Sequence, residues 1–449
     1  MLKIIVGELH CALTDAKYNL EALAVIRNVC KARPSGYKFM AKFKRHQWDG
    51  YISLMSTFAA FPTGLLSFVL EELHEAGYAN VEVSQQPVLM PQVAITKDML
   101  TGIELRDYQL EAVKALTIAT RGVAKMATNS GKTEVMAAVI KHLGCKSIVL
   151  VHRKELMYQT AERFTTRGIE NVGMCGDGLW QPNIVTVAMI QTLSSKIDLL
   201  GDFIGNKVLF CDETHHLSGA QSQEVYYKLP GRYRFGVSGT PLKREELADM
   251  KLMAATGPIV CEITNEFMID HGYSAKPRVD IKVIDGDTFW LADYQSAYTE
   301  MIVNNVKRNK YIAKYAKRIN GAVLILVARI EHGRILQELT DGKFLSGGDT
   351  IEDRRAALEV MKAGTGIFIA SPIFDEGVDV PGVHAVILAG GGKSQVKLLQ
   401  RIGRGLRHKE DNSDLKILDF IDDTNKHLLK HSNDRIETYV AEGFETVIS

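Results

Sequence analysis

Two short stretches carry residue types that can do chemistry. Ala127-Thr128-Asn129-Ser130-Gly131-Lys132-Thr133 opens a helical pattern. Backbone N–H groups at such a helix start cradle phosphate oxygens. Lys132 adds a point charge, and the Thr133 hydroxyl is a ligand type for Mg2+. The full phosphate-loop spacing wants Gly where this chain has Met126. Alone, this Gly-Lys-Thr also reads as an ordinary helix start with a surface lysine. Further on, Val208-Leu209-Phe210-Cys211-Asp212-Glu213-Thr214-His215 is an apolar run ending in two carboxylates. At a strand's C-terminal edge, Asp212 can join a Mg2+ shell and Glu213 can polarise an attacking water. Alone, that is an acidic loop after a core strand. Together, at the spacing of one α/β domain, the two stretches argue for nucleotide hydrolysis.

The elements that must position them follow from hydrophobic pattern. Strands are expected at Ser147–His152, Asn183–Ala188, Val208–Cys211 and Tyr233–Ser238, with helices such as Lys132–His142 and Glu155–Phe164 between them. After Pro277 the alternation restarts, with strands at Val323–Ala328, Ile367–Ala370, Ala385–Leu388 and Lys416–Phe420 and a long helical pattern over Tyr294–Arg318. Near-continuous apolar strands alternating with helices predict buried parallel sheets. The fold class is therefore α/β: a small α+β domain over 1–90, then two tandem parallel-sheet domains over 91–278 and 279–449.

Composition agrees. The chain has 449 residues, 46% hydrophobic and 24% charged, which suits several globular domains and excludes disorder. No Gly-X-Y period or sustained heptad is present. The net charge of +1 decides nothing about partners, because local patches matter more. Six scattered cysteines without Cys-x-x-Cys are expected to be reduced, as in the cytoplasm, and to bind no zinc. Tyr51–Leu70 carries no charge over a membrane-spanning length, but Pro62-Thr63-Gly64 reads as a turn inside it, so no membrane partner is expected.

Read in order, the motifs resemble those of superfamily 2 helicases. Leu105-Arg106-Asp107-Tyr108-Gln109 resembles the Q motif, in which Gln109 reads the adenine edge and an aromatic or Arg106 stacks on the base. Ala127–Thr133 resembles motif I, with Asn129 where many relatives have Gly, and implies nucleotide contacts from Asn129, Ser130, Gly131, Lys132 and Thr133. His152-Arg153-Lys154-Glu155-Leu156 resembles motif Ia, which places Arg153 toward nucleic acid; Thr186 is assigned there too. Asp212-Glu213-Thr214-His215 resembles motif II, and Ser238-Gly239-Thr240 motif III, making His215, Ser238 and Thr240 the coupling residues. Ser371 with Glu376-Gly377-Val378-Asp379-Val380-Pro381 resembles motif V. There Ser371 touches a backbone phosphate, and Gly377 and Asp379 contact ATP. Gln400-Arg401-Ile402-Gly403-Arg404-Gly405-Leu406-Arg407 resembles motif VI, with Gln400, Arg404 and Arg407 at the γ-phosphate. The resemblance implies RecA-like domains, ATP with Mg2+, and Thr133 and Asp212 as metal ligands.

The N-terminal block narrows the resemblance. Pro34-Ser35-Gly36-Tyr37-Lys38-Phe39, Trp48-Asp49-Gly50 and Phe61-Pro62-Thr63-Gly64-Leu65-Leu66 are similar to the duplex-binding domain of the phage UvsW helicases. That type implies DNA as partner, branched or with single-stranded regions. It implies branch migration, fork regression, R-loop and D-loop unwinding, three-prime to five-prime polarity, and action in the host cytoplasm. Between Glu21 and Asp49 seven Lys/Arg occur without an acid, among them Lys38, Lys42, Lys44 and Arg45. Such a segment suits phosphate contact with strong salt dependence. Its aromatics suit either stacking on unpaired bases or the core of a small domain, and core is the expectation for Phe39, Phe43 and Trp48. Lys393 opens a second acid-free run, where it can contact a tracked strand or lie on a solvated helix face. Three other readings stay open: a restriction-type motor subunit, an ATP-switched duplex clamp or annealing protein, and an RNA helicase.

Overall fold

The computed structural model describes residues 2–14, 19–56, 58–85, 91–127, 129–242, 245–274, 277–284, 293–371, 382–392, 415–441 and 443–449. They divide into two compact units, one of Met1–Met126 with Gly131–Ile263, the other of Thr264–Ser449 with Ala127–Ser130.

The first unit holds an eight-stranded sheet among its described residues. Its order is Leu179–Gln181, Val172–Gly176, Val185–Met189, Ser147–Val151, Val208–Asp212, Tyr233–Ser238, Arg121–Met126, Ile259–Ile263. All neighbours are parallel except the first pair. Parallel strands end side by side at one edge, so the loops that follow them converge. Among its described residues the second unit holds a seven-stranded, wholly parallel sheet: Lys343–Leu345, Ile367–Ala370, Ala322–Leu326, Val383–Ile387, Leu415–Asp422, Pro277–Ile284, Glu445–Ile448. Its core also buries Arg308, wholly inaccessible, paired with Asp422 at 3.1 Å and stacked over Phe420.

Expected strands are present to within a few residues. The helical stretch Tyr294–Arg318 is different: it breaks into Tyr294–Tyr298, a π-helical turn Thr299–Val303 and Val306–Arg318. Asn305 causes the restart, since its side chain accepts the Arg308 N–H at 3.0 Å and caps the last helix. Tyr51–Leu70 folds as two short strands, a 3-10 turn Thr63–Leu65 and the start of the helix Leu66–Glu75. No helix among the described residues is long and apolar enough to cross a membrane.

The domain borders need two corrections. The N-terminal block is not a separate compact unit. It forms a four-stranded mixed sheet, Ala60–Pro62, His10–Leu13, Leu2–Val6, Val81–Ser84, backed by the helices Leu20–Val29 and Leu66–Glu75. Its core continues into Met250, Met253 and Ala254 of the helix Glu246–Thr256. The junction is tight: a Cβ on Gly64 would lie 2.2 Å from the Met253 carbonyl oxygen and 2.5 Å from that of Ala254. Backbone cannot yield as a side chain does, so Gly64→Ala is expected to destabilise this unit by about 1–3 kcal/mol. Thermal unfolding beside wild type checks it; an unchanged midpoint rejects the close approach. The second border falls after Ile263 rather than 278, because Ile259–Ile263 pairs with Arg121–Met126 whereas Ile269 packs into the core of the second unit.

Candidate active site

The helix Lys132–Leu143 begins after Gly131, which has φ 81° and serves as its N-cap. Asn129 is also left-handed at φ 67°, a conformation Asn tolerates, which explains how the loop does without Gly there. The Ser130 hydroxyl donates to the Ala127 carbonyl at 2.7 Å and closes the turn. Thr133 is half-buried in the first helical turn.

Gln109 sits beside this loop, 6% exposed. Its Oε1 accepts the Arg106 N–H at 2.9 Å and caps the helix Asp107–Ala119, while the Arg106 guanidinium donates to the Tyr108 hydroxyl. A Cβ on Gly131 would lie 2.1 Å from Gln109 Nε2. Gln109 thus packs against the phosphate loop, a contact the sequence did not reveal. Gln109 cannot swing away without losing its cap, and Ala strains at this φ. Gly131→Ala is expected to weaken nucleotide binding at least about tenfold. Titration with a fluorescent nucleotide tests this, and unchanged affinity would remove Gln109 from the loop's support.

The acidic pair follows the central strand Val208–Asp212. Asp212 Oδ1 accepts the Glu213 N–H at 3.0 Å. Glu213 is left-handed (φ 49°, ψ 56°), which turns its side chain away from Asp212's direction along the strand edge. Lys132 Nζ stands 3.6 Å from Glu213 Oε1. Ser238 Oγ donates to Glu213 Oε2 at 3.2 Å, His215 Nδ1 lies 3.3 Å from that oxygen and 3.2 Å from Ser238 Oγ, and the Thr240 N–H donates to Ser238 Oγ at 3.3 Å. Motifs I, II and III, separated in sequence, therefore meet through one glutamate.

Burial, and next the charge of Glu213, push Asp212 up to about 6, against the pull of Lys132 and His152. Burial opposes charge on Glu213 as well. Lys132, His215, His152 and the Ser238 hydroxyl outweigh it and hold Glu213 below the ordinary glutamate value. The site thus carries one firmly ionised carboxylate beside one that resists ionisation. His152, which opens the motif Ia stretch, and His216 meet at the same edge with ring centroids 4.1 Å apart and planes tilted by 34°.

Other expected residues are dispersed. Lys38, Lys42, Lys44 and Arg45 are exposed and form no ion pair among the described residues. Arg153 is the half-buried N-cap of the helix Lys154–Thr166. Thr186 is corrected: it is 1% exposed on a central strand, and its hydroxyl is spent on the backbone N–H and carbonyl of Asn183, which leaves nothing for nucleic acid. Ser371 ends the strand Ile367–Ala370, 5% exposed. Gly377, Asp379, Lys393, Gln400, Arg404 and Arg407 lie outside the described residues.

Comparison with known proteins places the chain among helicase-like sequences. Residues 102–243 match the family described as type III restriction enzyme, res subunit, and residues 306–409 match the helicase conserved C-terminal domain. The chain is 24% identical to the ATP-dependent DNA helicase uvsW of Enterobacteria phage T4, covering 94% of each protein. It is 26% identical to the DNA 3'-5' translocase XPB2 of Sulfurisphaera tokodaii, over 74% of this chain and 84% of that one. The fold is shared with a fragment of a putative HsdR subunit of a type I restriction enzyme from Vibrio vulnificus YJ016, at 18% identity and TM-score 0.59, covering 80% of this chain and 70% of that structure.

Proposed function

We propose, from the premise that the chain is a superfamily 2 helicase of the phage UvsW type and an ATP hydrolase, that it is a DNA motor that remodels branched substrates. Its reactions are Holliday-junction branch migration, fork regression and the unwinding of R-loops and D-loops, with three-prime to five-prime polarity, in the host cytoplasm if the chain is phage-encoded. One observation carries the choice of substrate. Similarity to the phage DNA helicase spans 94% of both chains, and so includes the basic N-terminal block that the two family matches at 102–243 and 306–409 do not reach. The named polarity of the XPB2 relative supports the direction.

The residues present fit a Mg2+–nucleotide. Asp212, which resists its own charge, gains most from a dication, and Gly131 leaves the loop open where a Cβ would not fit. Thr133 and Asp212 would hold the metal, and Lys132 the phosphate oxygens. Bound ATP supplies a γ-phosphoryl group open to in-line attack by water. Glu213 orients that water and takes its proton. Ser238 and His215 hold Glu213 Oε2, so a proton arriving on this carboxylate is felt in the 238–240 segment. Gln400, Arg404 and Arg407 complete the reading as γ-phosphate contacts, with Gly377 and Asp379 at the nucleotide. Lys38, Lys42, Lys44, Arg45, Arg153, Ser371 and Lys393 serve the DNA backbone.

The test is the ATPase rate with no nucleic acid, single strand, duplex, Holliday junction and RNA, beside Lys132→Ala. Strongest stimulation by the junction, lost in the variant, supports a branch-remodelling motor. Stimulation by RNA alone overturns the DNA assignment. The match of 102–243 to a restriction subunit favours a second reading, a restriction-type motor, which stable co-purification with a methylase or nuclease subunit would support.

A further inference from the structure

The basic block contains an aromatic that its own core does not use. Phe39 was expected inside; it is 79% exposed, and Met40 beside it is 42% exposed. The aromatics that do pack lie behind it. Tyr37 and Phe43 meet edge-on at 4.9 Å, both rest on Gly50, and the Arg33 guanidinium lies over Tyr37 and Tyr51 at 4.8 and 4.3 Å. Trp48 is tied down by its indole N–H donating to the Tyr51 carbonyl at 2.7 Å. The 3-10 turn Tyr37–Phe39, entered through left-handed Gly36 (φ 68°), and the helical turn Ala41–Lys44 therefore stand on a fixed base. Phe39 projects from it among Lys38, Lys42 and Lys44, with the Lys44 ammonium 5.9 Å from its ring centre.

A flat apolar ring left in water within a cluster of cations that form no ion pair among the described residues calls for an occupant that is flat and apolar next to negative charge. A nucleobase on its phosphate backbone has that character, and base–aromatic stacking tolerates any sequence. In an intact duplex the base faces are already stacked on one another, so the face on offer is at the point where strands part. We propose that Phe39, supported by Met40, stacks on the first unpaired base of a DNA fork or junction, while Lys38, Lys42 and Lys44 hold the adjoining phosphates. Phe39 is then a substrate-positioning residue that recognises the branch point. This rests on the DNA-remodelling reading above.

The experiment measures, for the full chain without ATP, affinity for a forked DNA and for a fully paired duplex of equal length. Wild type is expected to favour the fork, and Phe39→Ala to lower the fork-to-duplex affinity ratio about tenfold. Phe39→Trp is expected to keep the ratio and to show indole fluorescence quenched by the fork but not by the duplex. Phe58, 90% exposed but without flanking cations, is the control, and Phe58→Ala is expected to leave the ratio unchanged. A ratio that Phe39→Ala does not lower, or that Phe58→Ala lowers equally, overturns the stacking role alone. A wild type that binds neither DNA overturns the role together with the DNA assignment.

Discussion

Glu213→Gln is expected to lower nucleic-acid-stimulated ATP turnover by about 10²–10⁴-fold while nucleotide binding survives. What Glu213 touches sets this outcome. Lys132 at 3.6 Å and the paired Ser238 and His215 contacts at 3.2 and 3.3 Å keep the carboxylate ionised and aimed, as a base near a phosphate must be. Glutamine keeps the shape and can still accept from Ser238, but it cannot take a proton. Losing this charge has a second effect. Glu213 is one of the two largest causes of Asp212's raised pKa, so in the variant the Asp212 carboxyl ionises at lower pH. Wild-type affinity for Mg2+–ADP should fall as pH drops through about 6; in Glu213→Gln that fall should move to lower pH. Steady-state ATPase and Mg2+–ADP titrations between pH 5 and 8 read both, taking this range as roughly the span about the Asp212 transition. Normal stimulated turnover in the variant would remove Glu213 from the chemistry.

Asp212→Asn should make the nucleotide-free protein more stable while abolishing stabilisation by Mg2+–ADP. Asp212's folded pKa of about 6 lies above the ordinary aspartate value of 3.8, so the folded state binds more protons between these values. Stability therefore falls as pH rises through that window, and the full cost is present at neutral pH. Asparagine removes the charge and keeps an oxygen for the Glu213 N–H. The variant should unfold several degrees above wild type at neutral pH, and the difference should vanish near pH 4, by roughly the same linkage. Mg2+–ADP should raise the wild-type midpoint only. A variant less stable than wild type at neutral pH would mean that Asp212 already has a compensating partner.

Much of this site was legible because its parts are local. Gly131-Lys132-Thr133 and Asp212-Glu213-Thr214-His215 are contiguous, and the apolar run Val208–Cys211 marks the strand that carries the acids. Arg121–Met126, the strand that feeds the phosphate loop, was missed. Its Arg121, Gly122 and Lys125 break the apolar pattern. Two of them have a reason outside the strand: Gly122 leaves room for Val260, and Lys125 pairs with Glu262 on the neighbouring strand. The brace between Gln109 and Gly131 was not legible either, since it depends on where two helix starts end up. Phe39 and Phe43 look alike in sequence. Only the packing of Tyr37 and Phe43 on Gly50 decides which faces inward.

The seating of Gly64 beneath the carbonyls of Met253 and Ala254 has a mechanical consequence. The helix Glu246–Thr256 that carries those carbonyls also packs on Thr214–Ser218, the turn that begins at Glu213. The turn that follows Glu213 and the N-terminal block thus pack on one and the same helix. A tethered module would merely raise the local concentration of DNA. A keyed one is held in fixed register with the turn that begins at Glu213.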